Sequence, residues 1–151
     1  MSEHIYRKHN KTLLLYHLVC PVRYRRKIFE DKLLKNTLKQ TCITISQCYE
    51  LNFIEIGVDD DHVHFLIQTV PTILPSRMVQ TIKSITAREL FKSHEEIKQY
   101  LWRGKFWTSG YYLNTVGHYG NEEIISKYVK EQGKYYEKIH HNQLTLFPGW
   151  S

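Results

Sequence analysis

Apolar and polar positions recur with two different periods along this chain, and the switches between them predict its elements. Leu13 to Cys20 is an apolar run stopped by Pro21. It is short enough for a strand and apolar enough to be buried on both faces. Past the basic stretch that follows, Phe29, Leu33, Leu34, Leu38, Cys42, Ile45, Cys48 and Tyr49 recur at steps of three and four. That spacing predicts one long amphipathic helix with its lysines outward. Phe53 to Val58 and His62 to Val70 read as two strands, and Asp59, Asp60 and Asp61 as the turn of the hairpin between them. After the connection Pro71 to Pro75, Ser76 is placed to cap a second helix running to about Phe91, with Val79, Ile82, Thr86 and Leu90 on one face. Glu95 to Gly110 is irregular and aromatic, Tyr111 to Val116 reads as a strand and Gly117 to Gly120 as a loop. Asn121 is placed to cap a last helix bearing Ile124, Ile125, Tyr128, Val129 and Gln132, with Glu122 and Glu123 at its positive end. Glu137 to Ser151 reads as a peripheral tail.

The predicted order is strand, helix, strand, strand, helix, strand, helix. This is an α+β plan resembling a ferredoxin-like sandwich, an antiparallel sheet with helices packed on it. At 151 residues the chain is expected to form a single domain over 1–151, too small for a barrel enzyme of about 250 residues. Hydrophobic residues at 42% and charged residues at 24% exclude a disordered chain. No apolar run approaches the roughly 18 residues of a membrane span. The polar opening segment predicts no signal peptide, and the location expected is cytoplasmic. Cys20, Cys42 and Cys48 have neither the count of a disulfide framework nor the spacing of a zinc site, so they read as reduced thiols.

Charge changes the picture. The formal net charge is +6, and Arg23, Arg25, Arg26, Lys27, Lys32, Lys35 and Lys39 form one stretch opposed only by Glu30 and Asp31. Such a patch suits a polyanion. Tyr 11 and Trp 3 are many for this length, and some interleave with basic residues, as in Trp102, Arg103, Lys105, Phe106 and Trp107. Aromatic faces beside cations are a means of holding single-stranded nucleic acid.

Two spacings carry candidate chemistry. His62 and His64, two apart on a strand, leave the same side of the sheet, close enough to chelate one metal ion, while Val63, Phe65 and Ile67 point to the other. Tyr128 and Gln132, four apart, share a helical face. A tyrosine hydroxyl can attack phosphorus and a glutamine carbonyl can ligate a divalent ion. Tyr135 and Tyr136 also lie near Gln132, so spacing alone does not select the nucleophile.

Taken together, these residues resemble the single-tyrosine HUH transposases of the insertion-sequence 200/605 family. Tyr16 to Pro21, continuing to Tyr24, Arg25, Arg26 and Lys27, is similar to that family's opening strand and basic turn. Asp61 to Leu66 is similar to its metal strand, Lys83 to Arg88 to its second helix, and Phe106 to Tyr112 with Thr115 to Gly117 to its aromatic segment. Tyr128 to Gln132 is similar to its nucleophile helix. The resemblance runs from about Leu14 to Gln132. Asp60-Asp61 stands where the family often has Pro-Asp, and the residues after Tyr136 lie outside the pattern.

The resemblance implies a metal-dependent DNA transposase that cleaves and rejoins single-stranded DNA through a 5′-phosphotyrosine link and recognises subterminal hairpins of an insertion sequence. It implies Tyr128 as nucleophile, with His62, His64 and Gln132 holding Mg²⁺ or Mn²⁺, and a homodimer with active sites shared between subunits. Arg23, Arg25, Arg26, Lys27, Lys83 and Arg88 are the candidate DNA-backbone contacts. Free tyrosine has a pKa of about 10 and is only about 0.1% ionised at neutral pH, so the reaction needs help from the ion. The chain has no Gly-x-x-x-x-Gly-Lys-Ser/Thr loop, in keeping with a reaction that stores bond energy in a covalent link. Alternative readings are a domesticated relative or relaxase-like nickase with the same chemistry, and a non-catalytic RNA- or single-strand-binding module. The latter lacks its aromatic signature motif.

Overall fold

A computed structural model describes residues 14–101, 104–117 and 136–142. Strand β1 spans Leu14–Pro21, helix α1 Lys32–Cys48, β2 Leu51–Asp59, β3 His62–Thr69, α2 Pro75–Ser93, β4 Tyr112–Gly117 and β5 Glu137–His141. The sheet is antiparallel in the order β4-β1-β3-β2-β5. Its first four strands have the order expected of a ferredoxin-like plan.

Alternation along the strands explains which face is covered. Leu18 and Cys20 of β1, Ile56 and Val58 of β2, and Val63, Phe65 and Ile67 of β3 point to one face. There they meet Leu34, Leu38, Cys42 and Ile45 of α1 and Met78, Val79, Ile82 and Leu90 of α2. The opposite face carries a smaller cluster of Leu15, Ile54 and Leu66, and with it the polar residues His17, Glu55, His62 and His64.

The element ends differ from the sequence expectation where local chemistry decides them. Asp31 caps α1, its Oδ1 accepting from the Leu33 amide at 2.8 Å, so Phe29 falls in a preceding 3-10 turn, Ile28–Glu30, and is fully buried there. Helix α2 starts one residue before Ser76. Leu74 is its N-cap and Pro75 takes the first helical position, where a fixed φ and a missing N–H cost nothing.

Two larger expectations are corrected. The peripheral tail proves to contain an edge strand: β5 pairs with β2. Polar bonds fasten it, because Asn142 donates its amide to the Ile54 carbonyl at 2.8 Å and its Nδ2 to Asn52 Oδ1 at 2.9 Å. Glu137 accepts from Lys35 Nζ of α1 at 2.7 Å. The aromatic segment, read as a base-stacking surface, is partly core. Phe106 and Trp107 are buried against Phe29, and Trp107 Nε1 donates to Thr86 Oγ1 at 2.9 Å. Trp102 and Arg103 lie outside the described residues.

Candidate active site

The hairpin turn between β2 and β3 sets the site. Its carbonyls at Asp60 and Asp61 accept from the amides of Phe29 and Val22, at 3.0 and 2.8 Å. The basic stretch that follows β1 is thereby held beside the first residues of β3. Within that stretch Tyr24 and Arg25 take left-handed φ values of 59° and 52°, uncommon for residues with side chains. Arg25 Nε reaches Asp61 Oδ2 at 3.0 Å.

His62 and His64 lie side by side as the alternation predicts, with ring centroids 5.0 Å apart. Asp61 Oδ1 lies 2.7 Å from His62 Nδ1. An ionised carboxylate only accepts, so Nδ1 carries a proton; Asp59 Oδ2 lies 3.8 Å from Nε2. Burial alone would push the Asp61 carboxyl up, but its hydrogen bonds to His62 and Arg25 and the Arg25 charge hold it below the usual range. His64 faces a partner the sequence did not suggest. His17 of β1 is buried, and its Nε2 is 3.0 Å from His64 Nδ1. Burial, then the neighbouring imidazoles of His17 and His62, push the His64 pKa down to about 4 against the pull of Asp59. Burial lowers that of His17 as well. Both are therefore neutral imidazoles near pH 7.

Tyr136 closes one side of the group. Its ring stacks on His64 with centroids 4.3 Å apart, and its hydroxyl donates to Glu55 Oε2 at 2.7 Å. Glu55 is 1% exposed and also pairs with Lys138 Nζ at 3.2 Å. The seat depends on Gly57, since a Cβ there would fall inside the Tyr136 ring. On the other side Tyr112, which is exposed, lies edge-on to His17 at 6.5 Å.

Tyr128 and Gln132 lie outside the described residues. Among the described residues no three His, Cys, Asp or Glu side chains converge as a metal site. The donor set present, two adjacent imidazoles with one nitrogen of each already partnered, would suit a divalent ion that draws its remaining ligands from elsewhere.

The candidate DNA contacts are dispersed. Arg25 stands at the histidines through Asp61. Arg23 and Lys83 line a cavity of about 400 Å³ with Trp107 and Tyr111. There Lys83 Nζ is already engaged by the carbonyls of Thr108 and Ser109, at 2.8 and 3.4 Å. Arg26 and Lys27 line a separate cavity, and Arg88 is an exposed residue of α2 beside Glu89. His17, Glu55 and Gly57 went unmarked in the sequence. The available signal was a polar residue or a glycine interrupting an otherwise apolar strand.

Comparison with known proteins bears on this geometry. Residues 10–132 match the family model described as "Transposase IS200 like". The chain is 30% identical over 119 residues to the ISDra2 transposase TnpA of Deinococcus radiodurans, covering 79% of this chain and 84% of that protein. It is 26% identical to the transposase for insertion sequence element IS200 of Salmonella typhimurium, over 82% of this chain and 80% of that one. Among solved structures, a candidate transposase from D. radiodurans superposes with a TM-score of 0.59 at 28% identity, covering 80% of this chain and 91% of the other. A tyrosine transposase bound to a REP hairpin superposes with a TM-score of 0.53 at 11% identity, over 80% and 67%, a likeness of fold alone. With most of its length matched, and with the histidine strand inside the matched region, this chain belongs to the family of IS200-like transposases.

Proposed function

We propose that this transposase cleaves and rejoins single-stranded DNA by covalent catalysis, with Tyr128 as nucleophile. The observation that carries the reading is the histidine pair on the sheet face opposite α1 and α2. Its imidazoles are adjacent, and the Nδ1 of each is already in a hydrogen bond. His62, His64 and Gln132 would hold Mg²⁺ or Mn²⁺. Such an ion, when bound, polarises the scissile phosphate and stabilises the leaving oxygen. The chain's own residues do the rest. The Tyr128 hydroxyl attacks phosphorus, a 5′-phosphotyrosine bond forms as the P–O3′ bond breaks, and the tyrosine proton ends on the leaving 3′ oxygen, giving a free 3′-OH. Attack by a different 3′-OH reverses these steps and rejoins the strand. Asp61 orients His62, and Arg25 secures Asp61.

DNA hairpins flanking an element are the proposed recognition target, held by the basic residues. Arg25, Arg26 and Lys27 are the exposed basic members of the stretch after β1, and Arg25 reaches the histidines through Asp61. Exposed Tyr112 and Tyr111 take the stacking role that buried Phe106 and Trp107 cannot. A homodimer with shared sites completes the reading.

Denaturing gels with a hairpin-bearing single strand and Mg²⁺ test it. The wild-type protein is expected to cut the single strand, leave a perfect duplex uncut, and form a covalent protein–DNA adduct. Tyr128→Phe should abolish the adduct while hairpin binding persists. An adduct that survives in Tyr128→Phe and vanishes in Tyr135→Phe or Tyr136→Phe would move the nucleophile. Equal cutting of duplex would refute the single-strand reading.

A further inference from the structure

We propose that His17 is a positioning residue. It accepts a hydrogen bond from His64 Nδ1–H and so fixes His64 in the tautomer whose bare Nε2 can face a divalent ion. The inference rests on the reading of His62 and His64 as metal ligands. The planes of the two rings are inclined to each other by 18°, with centroids 5.2 Å apart. A separation that long, for nitrogens only 3.0 Å apart, puts both nitrogens close to the line joining the ring centres. The proton therefore lies near both ring planes, as an N–H···N bond requires.

The choice of donor has a chemical consequence. If His17 donated, His64 Nδ1 would be the acceptor, its proton would sit on Nε2, and no lone pair would remain for an ion. If His64 donates, its Nε2 is bare and His17 carries its own proton on Nδ1. In a neutral His62 the bond to Asp61 favours this same tautomer. The two adjacent imidazoles then present matching nitrogens, one oriented by a carboxylate and the other by a third imidazole. Partners of this kind orient ligating histidines and raise their affinity for the ion. The placement of His17 fits the role. It sits on an interior strand of the sheet, diagonal to His64 across the β1–β3 register, so the backbone fixes its reach.

Nitrogen-15 NMR of the imidazoles of the full-length, metal-free protein near neutral pH reads the tautomer directly. The expected result is His64 protonated at Nδ1 in the wild type and a mixed tautomer in His17→Phe, with His62 unchanged in both. His17→Gln, whose carbonyl oxygen can still accept, should hold the wild-type tautomer. In calorimetric titration with Mn²⁺ alone, His17→Phe should bind about tenfold to a hundredfold more weakly, with recovery in His17→Gln. Wild-type His64 protonated at Nε2 would overturn the proposal, and that measurement needs no variant. An unchanged tautomer and unchanged Mn²⁺ affinity in His17→Phe would overturn it too. If His64→Ala bound Mn²⁺ as tightly as the wild type, the metal reading of the pair would fall, and the proposal with it. A locked Nδ1–H tautomer in that case would mark the failure as one of the metal assignment.

Discussion

Single residues on the histidine face carry opposed demands, because polar groups sit where a strand would ordinarily be apolar. His64 is the clearest case, with a pKa pushed down to about 4 mainly by burial. An unfolded histidine titrates near 6.5, so between these values the unfolded chain binds more protons than the folded one. The stability that the neutral imidazole provides is complete above pH 6.5 and is lost as pH falls toward 4. Urea denaturation of the metal-free protein should therefore show a midpoint that drops between pH 7 and 4.5, and a shallower drop in His64→Gln. Parallel curves would mean that His64 titrates alike in both states. The pairing of His62 with His64 was legible from strand alternation. The roles of His17, Glu55 and Gly57 were not, because each depends on a neighbouring strand that local spacing does not specify.

Elements were legible where one period ran long. The steps of three and four in α1 and α2 placed both helices, and the hairpin of β2 and β3 followed from its acidic turn. Errors fell where a short segment takes its structure from what it packs against. Glu137–His141 has no strong alternation and becomes a strand by pairing with β2. The segment around Phe106 and Trp107 has surface composition, yet a bridge from Trp107 to Val22 and the bond to Thr86 draw it into the core. Trp107→Phe should thus destabilise the fold by about 1–3 kcal/mol, through the buried acceptor on Thr86 left unpaired and the lost ring volume. Thermal or urea unfolding measures it. A change below about 0.5 kcal/mol would mean that the indole bond contributes little.

For the whole molecule, the order of elements from β1 to β4 and the family were legible from motifs spread over most of the chain, the last helix expected after Asn121 lying outside the described residues, while assembly is a matter of more than one copy and lies beyond a single chain's spacing. A site shared between subunits makes a specific demand. Neither Tyr128→Phe nor His64→Ala should cleave alone, but a mixture of the two, allowed to exchange subunits, should regain activity, because some heterodimers then hold one complete site. A purified heterodimer with no activity would indicate sites complete within each chain. Binding of hairpin DNA should weaken steeply with added salt, since each phosphate contact releases counterions.

The edge strand β5 has a mechanical consequence. Residues 118–135, which include Tyr128 and Gln132, stand in the sequence between β4 and β5, the two opposite margins of the sheet. Both flanks of that stretch, which carries the proposed nucleophile, are anchored in the sheet. Tyr136 begins the second anchor and rests on His64. Lifting β5 from β2 would carry this tyrosine off the imidazole, so unlatching the strand and uncovering the histidine are one event.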